Sequence, residues 1–519
     1  MPKLFLAIPY AVAVRDVLRS QTFDVLCARS DLEVVVLAPE GELATIAREF
    51  SRPNVRFEPL QKFSTSFVER LLYRFVLGFL YHKSRTLQVG SVSGMSWSLQ
   101  VMAPLAKVAR LVLGERQVMK LMTFCFRHLT PTRLYKELFA RIRPDLVVVT
   151  RVLGFSLDYP IMKRAQVEGV PVVALVSSWD NLTSKGFFAF DVSRLVVWNE
   201  VMKEEAVDLF HYPPDRVFIS GIPRYDVFFS ADTVRSRDAF LRALGMDPSK
   251  KLVTYATGSK NLGLCPEDPV TPEPEICEFL ADAISSGVIP GAQLLVRLHP
   301  QADPAQYARL MSRKDVVVDV PGSASAFVDR LFTQDDDWAF AELMHHSSVV
   351  VNLFSTVTLD AVACDTPVVC VNFDFRGPRP LLRSVTRYAQ FDHYAKLAAT
   401  GCVGLAGSRE ELVEKVAKYL MDPSIDSRAR QQARERYCVF TDGSAGKRAA
   451  QLILDALDET ITPHPASPVR SAFLEGRLSP EGTTIQGLDT SSQERDSRRR
   501  IRIGERGETN GDHGEPHAD

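Results

Sequence analysis

Between Ala292 and Asp374 the chain twice passes from an apolar, strand-like run into a polar turn and on to a helix-like pattern. No other feature limits the available folds as much. The first run, Gln293-Leu294-Leu295-Val296, closes on Arg297-Leu298-His299-Pro300. The second follows a helical pattern from Trp338 to His346. It reads Ser348-Val349-Val350-Val351-Asn352-Leu353, turns at Phe354-Ser355-Thr356 and enters a helix with Asp360 about one turn inside. Pro367 to Asn372 then supplies the next strand. Short apolar strands alternating with helices build doubly wound parallel sheets. In such sheets ligands sit beyond the carboxyl ends of strands, where helix N-termini offer free N–H groups to anions. The expected ligand is a nucleotide carrying a diphosphate.

A chain of 519 residues is too long for one hydrophobic core, and roughly 150 residues per domain allows two or three. Strands are expected at Lys3 to Ile8, Glu33 to Leu37, Val55 to Pro59, Asp145 to Thr150, Val170 to Val176, Leu195 to Trp198, Val217 to Ser220 and Lys251 to Ala256. The Gly and Pro punctuation of Gly221-Ile222-Pro223-Arg224-Tyr225-Asp226 ends the first sheet. The expected organisation is a Rossmann-like domain over 1–230, a linker over 231–250 and a second Rossmann-like domain over 251–458. Beyond it, 459–519 is rich in Pro, Ser, Gly, Glu and Arg and is expected to be a disordered tail.

A mostly helical insertion is expected at about 63–140. It holds twelve Lys and Arg from Arg70 to Arg141 against three acids, Glu69, Glu115 and Glu137, in a chain whose net charge is -1. With its Leu and aromatic positions, such a basic face suits an anionic membrane surface. Packing into the first domain is the other fate open to the apolar positions. Nucleic acid is not expected as a partner, since no recognition motif accompanies the charge. The eight cysteines are scattered singly, which points to a reducing cytoplasm. The N-terminal apolar run is too short for a signal peptide, and no window reaches the roughly 18 apolar residues of a transmembrane helix.

Several side chains fall where a diphosphate would lie. Arg297 and His299 are two apart at a strand end and share a face; an arginine fork suits phosphate oxygens, and histidine can donate to an oxygen that leaves with charge. The bland alternative pairs Arg297 with a carboxylate and leaves His299 to cap a turn. Ser355 or Thr356 can start the helix while the next N–H groups face phosphate, and Asp360 could accept from ribose hydroxyls, or be only a first-turn acid. Gly258 and Ser259, in the turn Thr257-Gly258-Ser259-Lys260, could admit a diphosphate to the backbone. In the first domain, Trp179-Asp180-Asn181-Leu182-Thr183-Ser184-Lys185 follows a strand. There Asp180 could take the proton of an acceptor hydroxyl, with Trp179, Asn181 and Lys185 near acceptor or phosphate, or form a local Asx turn. Asp335-Asp336-Asp337 invites a metal, but three acids at a helix start are explained by the helix dipole. His345 and His346 are expected to be structural.

The order LVRLHP, NLFSTVTLD, TPVVCVNFD resembles the carboxyl-terminal donor domain of GT-B-fold transferases. SSWDNLTSKG with GIPRYD is similar to bacterial surface-polysaccharide members and to CDP-glycerol glycerophosphotransferases. The resemblance spans roughly residues 140 to 450. It implies two Rossmann-like domains facing a cleft, and a sugar moved from a nucleotide-activated donor to a hydroxyl of a glycan or lipid-linked acceptor. It further implies His299, Ser355 and Thr356 on phosphate, Asp360 on the nucleotide, no cofactor and no essential metal. The enzyme would work in the cytoplasm or on the inner face of the cell membrane. In glycerophosphotransferases a Trp-His-Gly turn carries a histidine proposed as base; here the turn reads Trp179-Asp180-Asn181. Alternatives are a polyol-phosphate transferase, a non-hydrolysing UDP-sugar 2-epimerase, whose Ser-Gly-Gly turn and paired glutamates are missing here, and a noncatalytic glycan-binding protein.

Overall fold

The computed structural model describes residues 1–79, 84, 87, 97–130, 132–230, 234–259, 270–323, 325 and 330–462. Lys83, Arg85, Lys260, Cys265, part of the expected linker and the tail from residue 463 lie outside them.

Within 1–466, one compact unit, two parallel sheets form an α/β fold of the GT-B type. The first contains β1 (Lys3–Ala7), β2 (Glu33–Pro39), β3 (Val55–Leu60), β4 (Leu146–Val149), β5 (Val172–Leu175), β6 (Arg194–Val197) and β7 (Val217–Ile219), in the order β3-β2-β1-β4-β5-β6-β7. The second contains β8 (Lys251–Ala256), β9 (Ala292–Arg297), β10 (Val316–Asp319), β11 (Val349–Asn352), β12 (Val368–Val371) and β13 (Gly404–Ala406), ordered β10-β9-β8-β11-β12-β13. Every central strand is buried on both faces, which is why the sequence shows continuous Val and Leu runs and no alternation.

β10 and β13 are additions to the strands expected from sequence. Both are sheet edges, and β10 is buried fully only at Val316, so the apolar signal is weak there. The last helix, Ala445–Ile461, extends past the expected domain end at 458 and packs its apolar face on the first sheet, where Ile453 and Leu457 join a core with Leu4, Leu6 and Val34. Asp226 caps it by accepting from the backbone N–H groups of Ala445 and Gly446, each at 2.8 Å.

The insertion is helical at Phe67–Phe79, Trp97–Leu113, Glu115–His128 and Lys136–Ile142. A buried network ties it to the helix Tyr159–Glu168 that follows β4: Glu69 receives Lys163 Nζ and the Tyr159 hydroxyl, both at 2.8 Å, and Lys163 also reaches Thr130 Oγ1 at 2.6 Å. No helix among the described residues is long and apolar enough to cross a membrane.

Candidate functional site

Strand order reverses between β1 and β4 in the first sheet and between β8 and β11 in the second. At such a switch point neighbouring loops leave in opposite directions and open a crevice for ligand. The second sheet delivers the turn at 257–259 from β8 and the turn at 354–356 from β11. The first delivers Pro9 to Arg19 from β1, and Thr150 with Arg151 from β4.

On the second sheet, His299 is held by its own backbone. Its N–H donates to Thr257 Oγ1 at 2.7 Å, and its Nδ1 accepts from the N–H of Gln301 at 3.0 Å. With Nδ1 accepting, a neutral ring carries its proton on Nε2, as a donor to phosphate requires. Phe354, with φ 52°, adopts the left-handed backbone that bulky residues avoid; such strain persists only where the surroundings enforce it. They do here. Asn352 Oδ1 accepts from Ser355 N–H at 3.0 Å, and Ser355 Oγ accepts from Val357 N–H at 3.3 Å. Beneath the turn, the Tyr394 hydroxyl meets Cys370 Sγ at 2.6 Å and Thr358 Oγ1 at 3.0 Å. Thr356 follows at the helix start without a side-chain cap bond.

The other residues expected on this side sit differently. The Gly258 N–H donates to the buried Glu273 carboxylate, at 2.8 and 3.1 Å to its two oxygens, so it is already engaged; Ser259 is half-buried beside it. Burial pushes the Glu273 carboxyl up to about 7. Arg297 is buried with one nitrogen paired to Asp319, while Nη2 makes no hydrogen bond within the protein. Asp360 is also buried. Burial raises its carboxyl, opposed by Arg224 and by the Tyr225 hydroxyl. Arg224 lies in turn 4.5 Å over the Trp198 ring.

In the loop after β5, Asp180 is occupied. Its Oδ1 accepts from the Ser178 hydroxyl at 2.6 Å, and its Oδ2 accepts from the Ser184 hydroxyl at 3.0 Å and pairs with Lys185 at 3.1 Å. Burial alone would raise this carboxyl; Lys185, His393 and Ser178 outweigh it and hold it well below the usual carboxylate range. Trp179 is buried in the seam between the sheets, with ring centres 4.9 Å from His393 and 5.8 Å from Tyr394. Asn181 is buried and reaches Ser177 Oγ at 3.5 Å. His393 Nδ1 meets Thr183 Oγ1 at 2.7 Å, and burial pushes the imidazole down to about 4 despite Asp180.

Sequence reasoning missed His393, Arg224 and the β1 loop. Arg224 is the arginine of the Gly221–Asp226 motif, and the β1 loop is where the switch-point rule points once strand order is known. The acidic triplet is a helix start: Thr333 and Asp336 form a reciprocal capping box, with Thr333 N–H donating to Asp336 Oδ2 at 2.7 Å. Among the described residues no group of three or more His, Cys, Asp or Glu is placed to hold a metal ion. His345 and His346 bond the carbonyls of Phe228 and Arg235, each at 2.8 Å, the structural role expected of them.

A family model described as CDP-Glycerol:Poly(glycerophosphate) glycerophosphotransferase matches residues 189–455. A search of curated proteins finds no match. Among solved structures the chain is similar to an S. aureus MnaA-UDP co-structure, at 12% identity over 90% of this chain and 99% of that one, with a TM-score of 0.49. It is similar to a UDP-GlcNAc 2-epimerase from Neisseria meningitidis bound to UDP-GlcNAc, at 12% identity, 87% and 100% coverage and a TM-score of 0.48. A glycosyltransferase from Rickettsia africae ESF-5 shares 9% identity over 89% of this chain and 99% of its own, with a TM-score of 0.47.

Proposed function

The chain belongs to the CDP-glycerol:poly(glycerophosphate) glycerophosphotransferase family, whose model matches residues 189–455, and from that membership we propose a specific reaction and site. The protein is a transferase that moves a group from a nucleotide-activated donor to a hydroxyl of a surface-glycan or lipid-linked acceptor. The supporting observation is that the matched stretch contains the β8/β11 switch point, where His299 follows β9 with Nδ1 accepting from Gln301 N–H and Ser355 and Thr356 precede a helix.

In this reading the donor diphosphate lies at the 354–356 turn. His299 Nε2 donates to an oxygen of the departing phosphate, Ser355 and Thr356 hold phosphate through their hydroxyls, and Ser259 lines the opposite turn. Arg297 adds positive charge through the nitrogen that Asp319 leaves unbonded. These groups offset the leaving charge without a metal, so turnover is expected to survive EDTA. Asp360, facing Arg224, steadies the seam, and Asp180 fixes its loop.

Family membership favours a polyol phosphate as the group moved. The acceptor hydroxyl attacks the phosphorus that bears the polyol and gives its proton to solvent water, the phosphoanhydride breaks, and a nucleoside monophosphate leaves. The Trp179-Asp180-Asn181 turn, which lacks the histidine of the glycerophosphotransferase pattern, favours the second reading, a sugar: the oxygen then attacks the anomeric carbon and a nucleoside diphosphate leaves. Chromatography of the released nucleotide separates them. CMP from CDP-glycerol supports the first, UDP from a UDP-sugar the second, and acceptor-free conversion of a UDP-sugar would replace both with an epimerase.

The site works beside a cytoplasmic membrane face. Leu111 and Val112 are 86% and 74% exposed at the end of helix Trp97–Leu113, and Leu121 and Phe124 are exposed on the next helix. Lys107, Arg110, Arg116, Lys120 and Arg127 are exposed on the same two helices. Apolar side chains with a basic rim suit an anionic bilayer, each cation adding about 1 kcal/mol near the surface. Sedimentation with phosphatidylserine vesicles, weak with phosphatidylcholine alone and weakened in the double variant L111E/V112E, is the expected result. Equal binding to both lipids would remove the electrostatic part.

A further inference from the structure

We propose that Glu273 is a positioning residue of the donor site: from beneath the turn after β8 it fixes Gly258 and, through Thr257, the backbone of His299. The proposal rests on the reading that places the donor diphosphate beside His299. Glu273 opens the helix Glu273–Ser285 between β8 and β9, and only 1% of it is exposed. Both oxygens of its carboxyl take the Gly258 N–H, at 2.8 and 3.1 Å. The Tyr255 hydroxyl approaches Oε1 at 3.3 Å, and the Thr271 hydroxyl approaches Oε2 at 3.4 Å. Next to Gly258, Thr257 Oγ1 accepts the His299 N–H at 2.7 Å, and the Thr257 N–H donates to the Arg297 carbonyl at 3.0 Å. The turn is therefore pinned on one side by Glu273 and joined on the other to the segment that carries His299.

The helix dipole favours an acid in a first turn. A glutamine, however, would accept the same N–H without bringing an ionisable group into a buried place, and buried carboxyls with perturbed ionisation concentrate at functional sites. The groups bonded to Glu273 are uncharged, and burial raises its carboxyl to about 7. Around it, Tyr255 on β8, Cys277 on its own helix and Tyr307 from the segment after β9 are each pushed up by burial, so none carries charge near neutral pH. Arg376, from the loop after β12, reaches the Thr271 carbonyl at 3.2 Å and is paired with Glu275 at 2.7 Å.

While neutral, Glu273 holds the turn without opposing an anion. Once ionised, it sets a negative charge behind the turn on the donor side, where burial leaves little solvent to screen it. Phosphate binding and loss of the Glu273 proton therefore disfavour each other. The neutral form predominates below about pH 7, so donor affinity is highest there and falls as pH rises through that value.

Calorimetric titration of the full chain with CDP and with UDP, at about pH 6 and about pH 8, compares wild type with E273Q and E273A. If bound phosphate makes ionisation of Glu273 about tenfold harder, wild-type affinity falls roughly fivefold more than that of E273Q between the two pH values. The nucleotide's own titration is common to both proteins and drops out of the comparison. E273Q keeps an acceptor for the Gly258 N–H and should match the wild type at the lower pH, whereas E273A has none and should bind about three- to tenfold more weakly at both. Parallel pH dependence in wild type and E273Q, or E273A binding as tightly as wild type, would overturn the proposal; if E273A does not fold, the pH comparison decides alone. A wild type that binds neither nucleotide would sink the donor-site reading and the role of Glu273 with it.

Discussion

Asp180 and Glu273 illustrate how the same residue type is read differently by sequence and by surroundings. Spacing marks Asp180 as a proton acceptor after a strand, but three donors hold it ionised, and an acid that weakly basic is a poor base at neutral pH. D180N should therefore lower turnover by disordering Lys185 and Ser184 while leaving the acid limb of the pH–rate profile in place; loss of that limb would make Asp180 the base after all. Glu273, with no role assigned from sequence, takes the Gly258 N–H that spacing offers to a diphosphate. Its carboxyl rises from 4.5 to about 7 through burial, so the stability its neutral form contributes is complete below 4.5 and is lost as pH climbs through 7. E273Q stays neutral, and its stability relative to wild type should increase by about 3 kcal/mol between about pH 4 and about pH 8 in denaturant titrations. A flat difference would mean that Glu273 is not titrating there. That His299 and Ser355 lie in turns after strands was legible, because strand ends announce themselves in an apolar run followed by a polar turn. The pairing of Asp16 with Arg224 was not, since the two lie far apart along the chain.

Among the elements, the central strands were readable within a residue or two, because burial on both faces leaves a continuous apolar run. The edge strands β10 and β13 lacked that run. The final helix shows another limit: the sequence pointed to helices after Ser408 ending near Leu457, but not to the sheet that Ala445–Ile461 covers. Its seat depends on Gly446, where a Cβ would lie 3.0 Å from the backbone nitrogens of both Gln21 and Thr22. G446A should destabilise the protein by about 1–3 kcal/mol through overpacking, outweighing a helix-propensity gain of at most about 1 kcal/mol. An unchanged or raised melting temperature would show that the helix does not dock that closely.

At the scale of the whole molecule, the two sheets were expected from the alternation of strands and helices. The seam between them was not legible, because its Trp179–His393 contact and the charge opposition of Arg224 and Asp360 join residues from separate halves that no local pattern links. The central claim is that a nucleotide-activated donor binds at the β8/β11 end, and the most direct measurement is a thermal-shift series on the full-length protein with CDP, UDP, GDP, TDP and CMP, with and without magnesium. A nucleotide at about 100 times its dissociation constant should stabilise the protein by about 2.7 kcal/mol, without need of magnesium, and H299A should abolish the shift while leaving the ligand-free melting temperature near that of wild type. No response to any nucleotide, or a response that H299A leaves intact, would contradict the account.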